Sequence, residues 1–292
     1  MSRRSPAYVS ILGALALLAA CDGSAAPSVP APVGTETSTA PTTPSGTTST
    51  TPAPATSSAT SASVPDGYRA AVPGPTVTAT KVARAPRIDG ATDDWSGFPT
   101  YAVDTRVGGS RSVRSTASAT WRLGWDRDNL YILAVVKDPT LTQTHPLRPW
   151  AIGSGDSVGI EIGAYTNPLP ADRLGSRDTR ILIGPTESGG TLRAVAYADG
   201  AAFATGGVWT SGAAVAVRTA SGWRVEAAIP WSTLKVNAPG PTAKLSMNLL
   251  LADAISSGAK RGSLGSLYSN NPQRIFAGAK ARYAWGRLAL AD

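Results

Sequence analysis

The sequence predicts an all-β fold: an antiparallel two-sheet β-sandwich of immunoglobulin-like or jelly-roll type, preceded by a disordered tether. Three observations lead there. Residues 117–138 read as two strands joined by a polar turn. Short β-rich runs bounded by turn residues recur from residue 76 to the C-terminus, with no periodic helical segment longer than a turn or two. All eight Trp residues lie after residue 90, so the packing material is confined to that part of the chain.

The first strand of the 117–138 pair alternates Ala119, Trp121, Leu123 and Trp125 with Ser118, Thr120 and Arg122, the period of a half-buried strand. Asp126-Arg127-Asp128-Asn129 supplies short polar side chains that bond their own backbone and tolerate a tight turn. Leu130–Val136 is apolar on both faces, as a central strand requires. Around this pair the strands expected are Thr76–Val82, Val158–Ile162, Arg180–Ile183, Leu192–Ala198, Ala213–Thr219, Trp223–Ile229, Leu245–Ala252 and Arg282–Leu290. Ala220-Ser221-Gly222 reads as a hairpin connection, Asp93-Asp94-Trp95 as a turn that fixes a Trp, and Pro230–Leu234 as a single helical turn. Trp121, Trp125, Trp223 and Trp231 fall within or at the end of strands and are expected in the core.

The preceding segments carry delivery chemistry. In residues 1–21, Arg3 and Arg4 precede an apolar run over Val9–Ala20, about 12 residues against the about 20 that a membrane-spanning helix needs. The run closes on Leu18-Ala19-Ala20-Cys21, which resembles the bacterial lipobox, and Cys21 is the one Cys of the chain, so it has no disulfide partner. A lipidated Cys21 anchors the protein to a membrane. Asp22 resembles an inner-membrane retention signal, and periplasmic and outer-surface placements in the bacterial envelope both stay open. Residues 22–75 are dominated by Ser, Thr, Pro, Ala and Gly and cannot bury enough surface to offset their ordering entropy. About 50 residues at roughly 3.1 Å each reach on the order of 100 Å. Residues 76–292 form the sandwich.

The net charge is +8, and the three basic and three acidic residues before residue 76 cancel, so the excess belongs to the domain. Its basic residues are scattered singly, without the clustered stripe of a nucleic-acid reader, so no nucleic-acid partner is expected. A pI of 9.9 suits a protein held near anionic lipid headgroups or acidic polymers. No HExxH, GxSxG or P-loop motif is present, and no enzyme is expected. His145 with Met247 permits a haem ligand pair but nothing in the sequence calls for one.

Five motifs in order carry a resemblance: Pro86-x-Ile88-Asp89-Gly90-x3-Asp94-Trp95; Leu123-x-Trp125-Asp126-x2-Asn129-Leu130-Tyr131-x-Leu133-Ala134-x-Val136-x-Asp138; Pro149-Trp150 ahead of Asp156-Ser157-Val158; Gly222-Trp223-x-Val225-Glu226-Ala227-Ala228-Ile229-Pro230-Trp231; and Met247-Asn248 ahead of Asp253. Together they resemble the family 9 carbohydrate-binding module, a DOMON-like sugar-binding β-sandwich best known as an appendage of xylanases. The resemblance implies a non-catalytic slot for sugar chain ends, with two aromatic rings sandwiching a sugar and charged and amide side chains bonding its hydroxyls. It makes carbohydrate the expected partner, with a role accessory to glycan breakdown. Position by position it implies Trp150 as one platform, Arg180 as a hydrogen-bonding Arg, Glu161 in place of an acid expected at Gly159, and Tyr268 or Phe276 as the second platform in a Ser266–Phe276 loop. Leu182 stands where the resemblance expects Asn.

The resemblance also admits structural calcium, for which Asp89, Asp94, Asp126, Asp128 and Asp253 are the oxygen donors to consider, although no 12-residue calcium loop is present. Each site residue has a plainer reading: Trp150 as loop packing, Arg180 paired with Glu161 across strands, the Asp residues as turn and cap groups. The alternative function is an envelope interaction or structural protein that kept the sandwich and lost the slot.

Overall fold

The computed structural model describes residues 68–69, 74–109, 115–143, 149–164, 169–170, 173–199, 202–237, 239–257, 260–273 and 282–292. Cys21, the leader, nearly all of the tether, His145 and Phe276 lie outside the described residues. In chain order the strands are β1 (Tyr68–Arg69), β2 (Thr76–Lys81), β3 (Tyr101–Val103), β4 (Thr105–Gly109), β5 (Ser118–Trp125), β6 (Asn129–Lys137), β7 (Ser157–Ala164), β8 (Leu169–Pro170), β9 (Thr179–Pro185), β10 (Thr191–Ala198), β11 (Phe203–Val208), β12 (Ala213–Thr219), β13 (Gly222–Pro230), β14 (Leu245–Ser257), β15 (Lys260–Ser269) and β16 (Gly286–Ala291). Short 3-10 turns occur at Asp93–Trp95, Pro149–Ser154 and Arg282–Ala284.

A continuous sheet in the order β11-β10-β9-β7-β14-β16-β2-β5-β6-β13-β12 curls back on itself into two layers. In one, β15 extends β14 and β4 extends β15; in the other, β3 pairs with β5. The layers close on one core drawn from both. Trp121, Leu123, Ile132, Trp223 and Val225 come from one side, and Ile160, Ile181, Leu249 and Leu251 from the other. The period-2 pattern chooses these faces: on β5 the expected Ala119, Trp121, Leu123 and Trp125 point inward.

Strand β6 lies between β5 and β13, and its outward residues Tyr131 and Leu133 are buried too, under Trp95, Ile88 and Phe98. That explains why its sequence is apolar on both faces. The turn before it is held as its composition requires, with Asp126 Oδ1 accepting from the Asp128 and Asn129 amides at 2.8 Å. Trp121, Trp125, Trp223 and Trp231 all sit in the core.

Two features depart from the expectation. The sandwich is mixed rather than wholly antiparallel, because β2 runs parallel to both neighbours, β16 and β5. This strand inserts between the last strand and the central hairpin, a pairing across most of the domain that no local pattern encodes. Within the expected closing strand Arg282–Leu290, the Arg282–Ala284 part is a 3-10 turn and pairing begins at Gly286.

Candidate functional site

The outward face of β9, β7 and β14 is the surface on which the sequence places the slot. Inward residues Ile181, Ile160 and Leu249 face the core, so Arg180, Leu182, Gly159, Glu161, Asn248 and Leu250 project the other way. Strand register sorts these into two rows. In the polar row, Arg180 stands opposite Glu161 and Glu161 opposite Asn248. In the apolar row, Leu182 stands opposite Gly159 and Gly159 opposite Leu250.

The polar row is joined by hydrogen bonds, with Arg180 Nε buried and left without a partner. Arg180 Nη2 donates to Glu161 Oε1 at 2.6 Å, and Asn248 Nδ2 donates to Glu161 Oε2 at 3.0 Å. Asn271 Nδ2 donates to Asn248 Oδ1 at 3.0 Å, and that oxygen also accepts from the Gly286 amide. Glu161 is fully buried, whereas the Arg180 side chain keeps 25% of its exposure and lies over the Phe203 ring at 4.3 Å. Arg180 therefore stands at the rim of this face with Glu161 as its counter-ion.

The apolar row explains the departures at Gly159 and Leu182 as a coupled pair. A Cβ at residue 159 would lie 2.9 Å from Leu182 Cδ2, so the leucine occupies the room that an acidic side chain there would need. What remains is a depression of about 120 Å³ with Leu182, Leu250, Ala252 and Leu267 as its apolar lining and Arg180 and Ser157 at its polar margin. The Pro149–Ser154 turn, which carries Trp150, packs against β9, β10, β14 and β15, and Gly153 lines the depression. The turn thus brings the backbone of Trp150 to the face that bears Arg180.

Tyr268 does not join this site. Residues 266–269 continue β15 rather than forming a loop, and Tyr268 pairs opposite Leu251, 4% exposed in the core. Its hydroxyl donates to the Ser115 carbonyl at 3.0 Å. A ring packed between the sheets is no platform for a ligand, and Phe276 lies outside the described residues.

Of the acids considered for calcium, four serve turns. Asp89 Oδ1 accepts from the Ala91 amide, and Asp94 Oδ2 from the Arg87 amide, both at 2.9 Å. Asp126 holds its turn and accepts from the Tyr131 hydroxyl at 2.6 Å, while Asp128 sits exposed within that turn. Asp253 has different company. It converges with Asp138 and Asp156, their carboxylate oxygens lying within 4.8 Å of one another and all three residues buried.

Asp138 follows β6, Asp156 precedes β7 and Asp253 lies in β14, so three strands bring one acid each to one end of the sandwich. Burial, with Asp138 and Asp253 as like-charged neighbours, pushes Asp156 up to about 8 although it accepts the Thr142 and Ala254 amides. Burial raises Asp253 as well. Ser266, directly opposite Asp253 on β15, is fully buried with its Oγ lacking any hydrogen-bond partner. Oxygen donors of high charge density beside an orphaned hydroxyl suit a hard divalent cation, so these residues fit calcium. Asp138 and Asp156 stand in the sequence motifs but not among the calcium candidates read from them. Their signal was their position, each acid closing or opening an apolar strand run.

Residues 88–174 match the family model described as carbohydrate family 9 binding domain-like. The chain is 30% identical over 187 residues to endo-1,4-beta-xylanase A of Thermotoga neapolitana and, equally, to that of Thermotoga maritima. The match covers 64% of this chain and 16% of each enzyme. Among solved structures, a family 9 carbohydrate-binding module from Caldicellulosiruptor kristjanssonii in complex with cellotriose superposes with a TM-score of 0.52 at 18% identity, over 74% of this chain and 93% of that one. A putative carbohydrate-binding protein from Bacteroides uniformis superposes with a TM-score of 0.54 at 10% identity, over 74% and 99%.

Proposed function

We propose that this chain, whose β-sandwich resembles the family 9 carbohydrate-binding modules and matches their family model over residues 88–174, binds carbohydrate without catalysis while tethered to a bacterial membrane. The observation that carries this reading is the outward β9-β7-β14 face, where Arg180 stands at the rim of an apolar depression beside the turn bearing Trp150. A sugar presents one C–H face and a ring of hydroxyls. The apolar lining receives the first, and Arg180 donates to the second from a position fixed by Glu161. Leu182 and Gly159 offer no hydrogen bond, so this slot favours units that present few hydroxyls to its floor. A binding role accessory to glycan breakdown agrees with the xylanase relatives, of which this chain matches a small part.

Lipidation at Cys21 would anchor the domain, and the Ser/Thr/Pro tether would let it search outward from the membrane. Calcium at Asp138, Asp156 and Asp253 would neutralise three buried carboxylates and so hold three strands together at one end of the domain. These side chains bind and position.

One observation favours a second reading, an envelope interaction protein with the sandwich retained and the slot lost: the replacement of a polar pair by Gly159 and Leu182. Calorimetry of the full chain against cellotriose, following a screen of neutral glycans, separates the two. Binding that Trp150→Ala weakens at least tenfold supports the slot. Binding unaffected by that change, or silence across the neutral glycans, overturns it in favour of the second reading.

A further inference from the structure

The outward face of the other layer, over β5, β6 and β13, is half covered. Trp95, Ile88 and Phe98 lie on Tyr131 and Leu133 at one end. Beyond them runs a groove of about 400 Å³ with Leu133 and Val135 as its floor. Register places Arg122 opposite Leu133 on one side and Arg224 opposite Val135 on the other. The two arginines are thus two strands apart, on the order of 10 Å across the sheet. Thr92, Thr120, Thr219 and Ser221 complete the lining, which contains no acidic residue.

Four cations elsewhere in the described residues have acidic partners: Lys81 has Asp292, Arg87 has Asp93, Arg180 has Glu161 and Arg282 has Asp178. Two others find different company, Lys235 on the Ser176 carbonyl and Arg193 over the Trp209 ring. The groove differs. Arg122 Nε reaches only Thr100 Oγ1, at 3.3 Å, and Arg224 Nε is screened from water with no acceptor. Glu226 stands opposite Leu133, in the row of Arg122 and two residues from Arg224, and is already held by the Trp95 indole and the Asp89 and Gly90 amides. A guanidinium nitrogen withdrawn from water and left without an acceptor is costly, and an anionic ligand is the group that relieves it.

We propose that this groove is a second binding site, separate from the Arg180 face, for a carboxylate-bearing sugar of the uronic-acid class. The planar carboxylate matches the fork of a guanidinium, which a point charge such as lysine does not. The aliphatic floor receives the C–H face of the ring, and the Thr and Ser hydroxyls lie where ring hydroxyls need partners. The groove exposes no protruding apolar side chain for insertion into a bilayer, which favours a sugar acid over a lipid surface.

The test is calorimetry of the full chain with trigalacturonic acid and with its methyl ester, at low and at high salt. The free acid is expected to bind more weakly as salt rises, and the ester to lose at least tenfold in affinity. Arg224→Gln is expected to weaken binding of the acid at least tenfold and Arg122→Gln about threefold, whereas Trp150→Ala leaves it unchanged. Arg224→Lys keeps the charge without the fork and is expected to fall between, which holds the test open should Arg224→Gln fold poorly. Equal binding of acid and ester, no binding of the acid at low salt, or loss of it in Trp150→Ala overturns the site. Inorganic phosphate binding that Arg224→Gln abolishes, with trigalacturonic acid ignored, overturns the sugar-acid assignment. Because this readout uses a charged sugar and variants remote from Trp150, it stands or falls separately from the cellotriose experiment.

Discussion

The two outward sheet faces of this domain treat charge in opposite ways. On the β9-β7-β14 face, Arg180, Glu161, Asn248 and Asn271 form one connected row of hydrogen bonds, and the adjacent row is apolar. On the β5-β6-β13 face, two arginines border an apolar floor, and the acid nearest them in register, Glu226, is engaged by the Trp95 indole and the Asp89 and Gly90 amides. The first arrangement fixes Arg180 through its counter-ion. The second leaves its cations available. A charged residue on a sheet face therefore says little about binding until its partners are counted.

The comparison can be broken most forcefully at Glu161. Replacing it by Leu strands Arg180 and Asn248, and about 3–5 kcal/mol of stability should be lost in chemical denaturation. Arg224→Met, on the opposite face, is expected to stay within about 0.5 kcal/mol of the parent or to stabilise, since it removes an unpartnered buried nitrogen. Equal losses in the two variants would erase the distinction drawn here.

Next in size comes the apolar row. Gly159→Ala is expected to cost about 1–3 kcal/mol because its Cβ meets Leu182, and Leu182→Ala in the same chain should recover most of it. A double-mutant cycle with no coupling would show that the two positions changed independently.

The acidic cluster offers a smaller effect with a distinct signature. Saturating calcium should raise the unfolding midpoint by several degrees relative to chelated protein, and Asp253→Asn should abolish the difference. An identical midpoint with and without calcium would leave the cluster a purely acidic one.

The smallest effect concerns Asp178, which faces Arg282 at 2.9 Å and is raised by burial to about 6. Its usual value is 3.8, so between about pH 4 and 6 the folded chain holds a proton that the unfolded chain has released. Stability contributed by this group is present below about pH 4 and declines as pH rises to about 6. Asp178→Asn should remove that part of the slope in denaturation measured across the window.

Much of the fold was readable because strands with a buried face must alternate. Thr76–Lys81, Ala213–Thr219 and the 117–138 hairpin stand where the pattern puts them. β4 and β15 were not readable, since Gly and Ser dilute their apolar periodicity and only pairing with neighbours makes them strands. The Arg180–Glu161 pair was legible from two short apolar runs. The misplacement of Tyr268 follows from the unread β15. The convergence of Asp138, Asp156 and Asp253 depends on which strands lie side by side, a property of the whole sheet rather than of any segment.

The parallel seating of β2 has a mechanical consequence. Past the two-residue pairing of β1 with β8, a pull from the N-terminal side loads β2, which is hydrogen-bonded to β16 on one flank and β5 on the other. With both neighbours pointing the same way, such a load stretches the pairs together in shear instead of peeling them one at a time. Lys81 and Asp292 clasp the far ends of β2 and the last strand. The domain thus meets tension at one of its well-braced strands, which would suit the tethered binding proposed above.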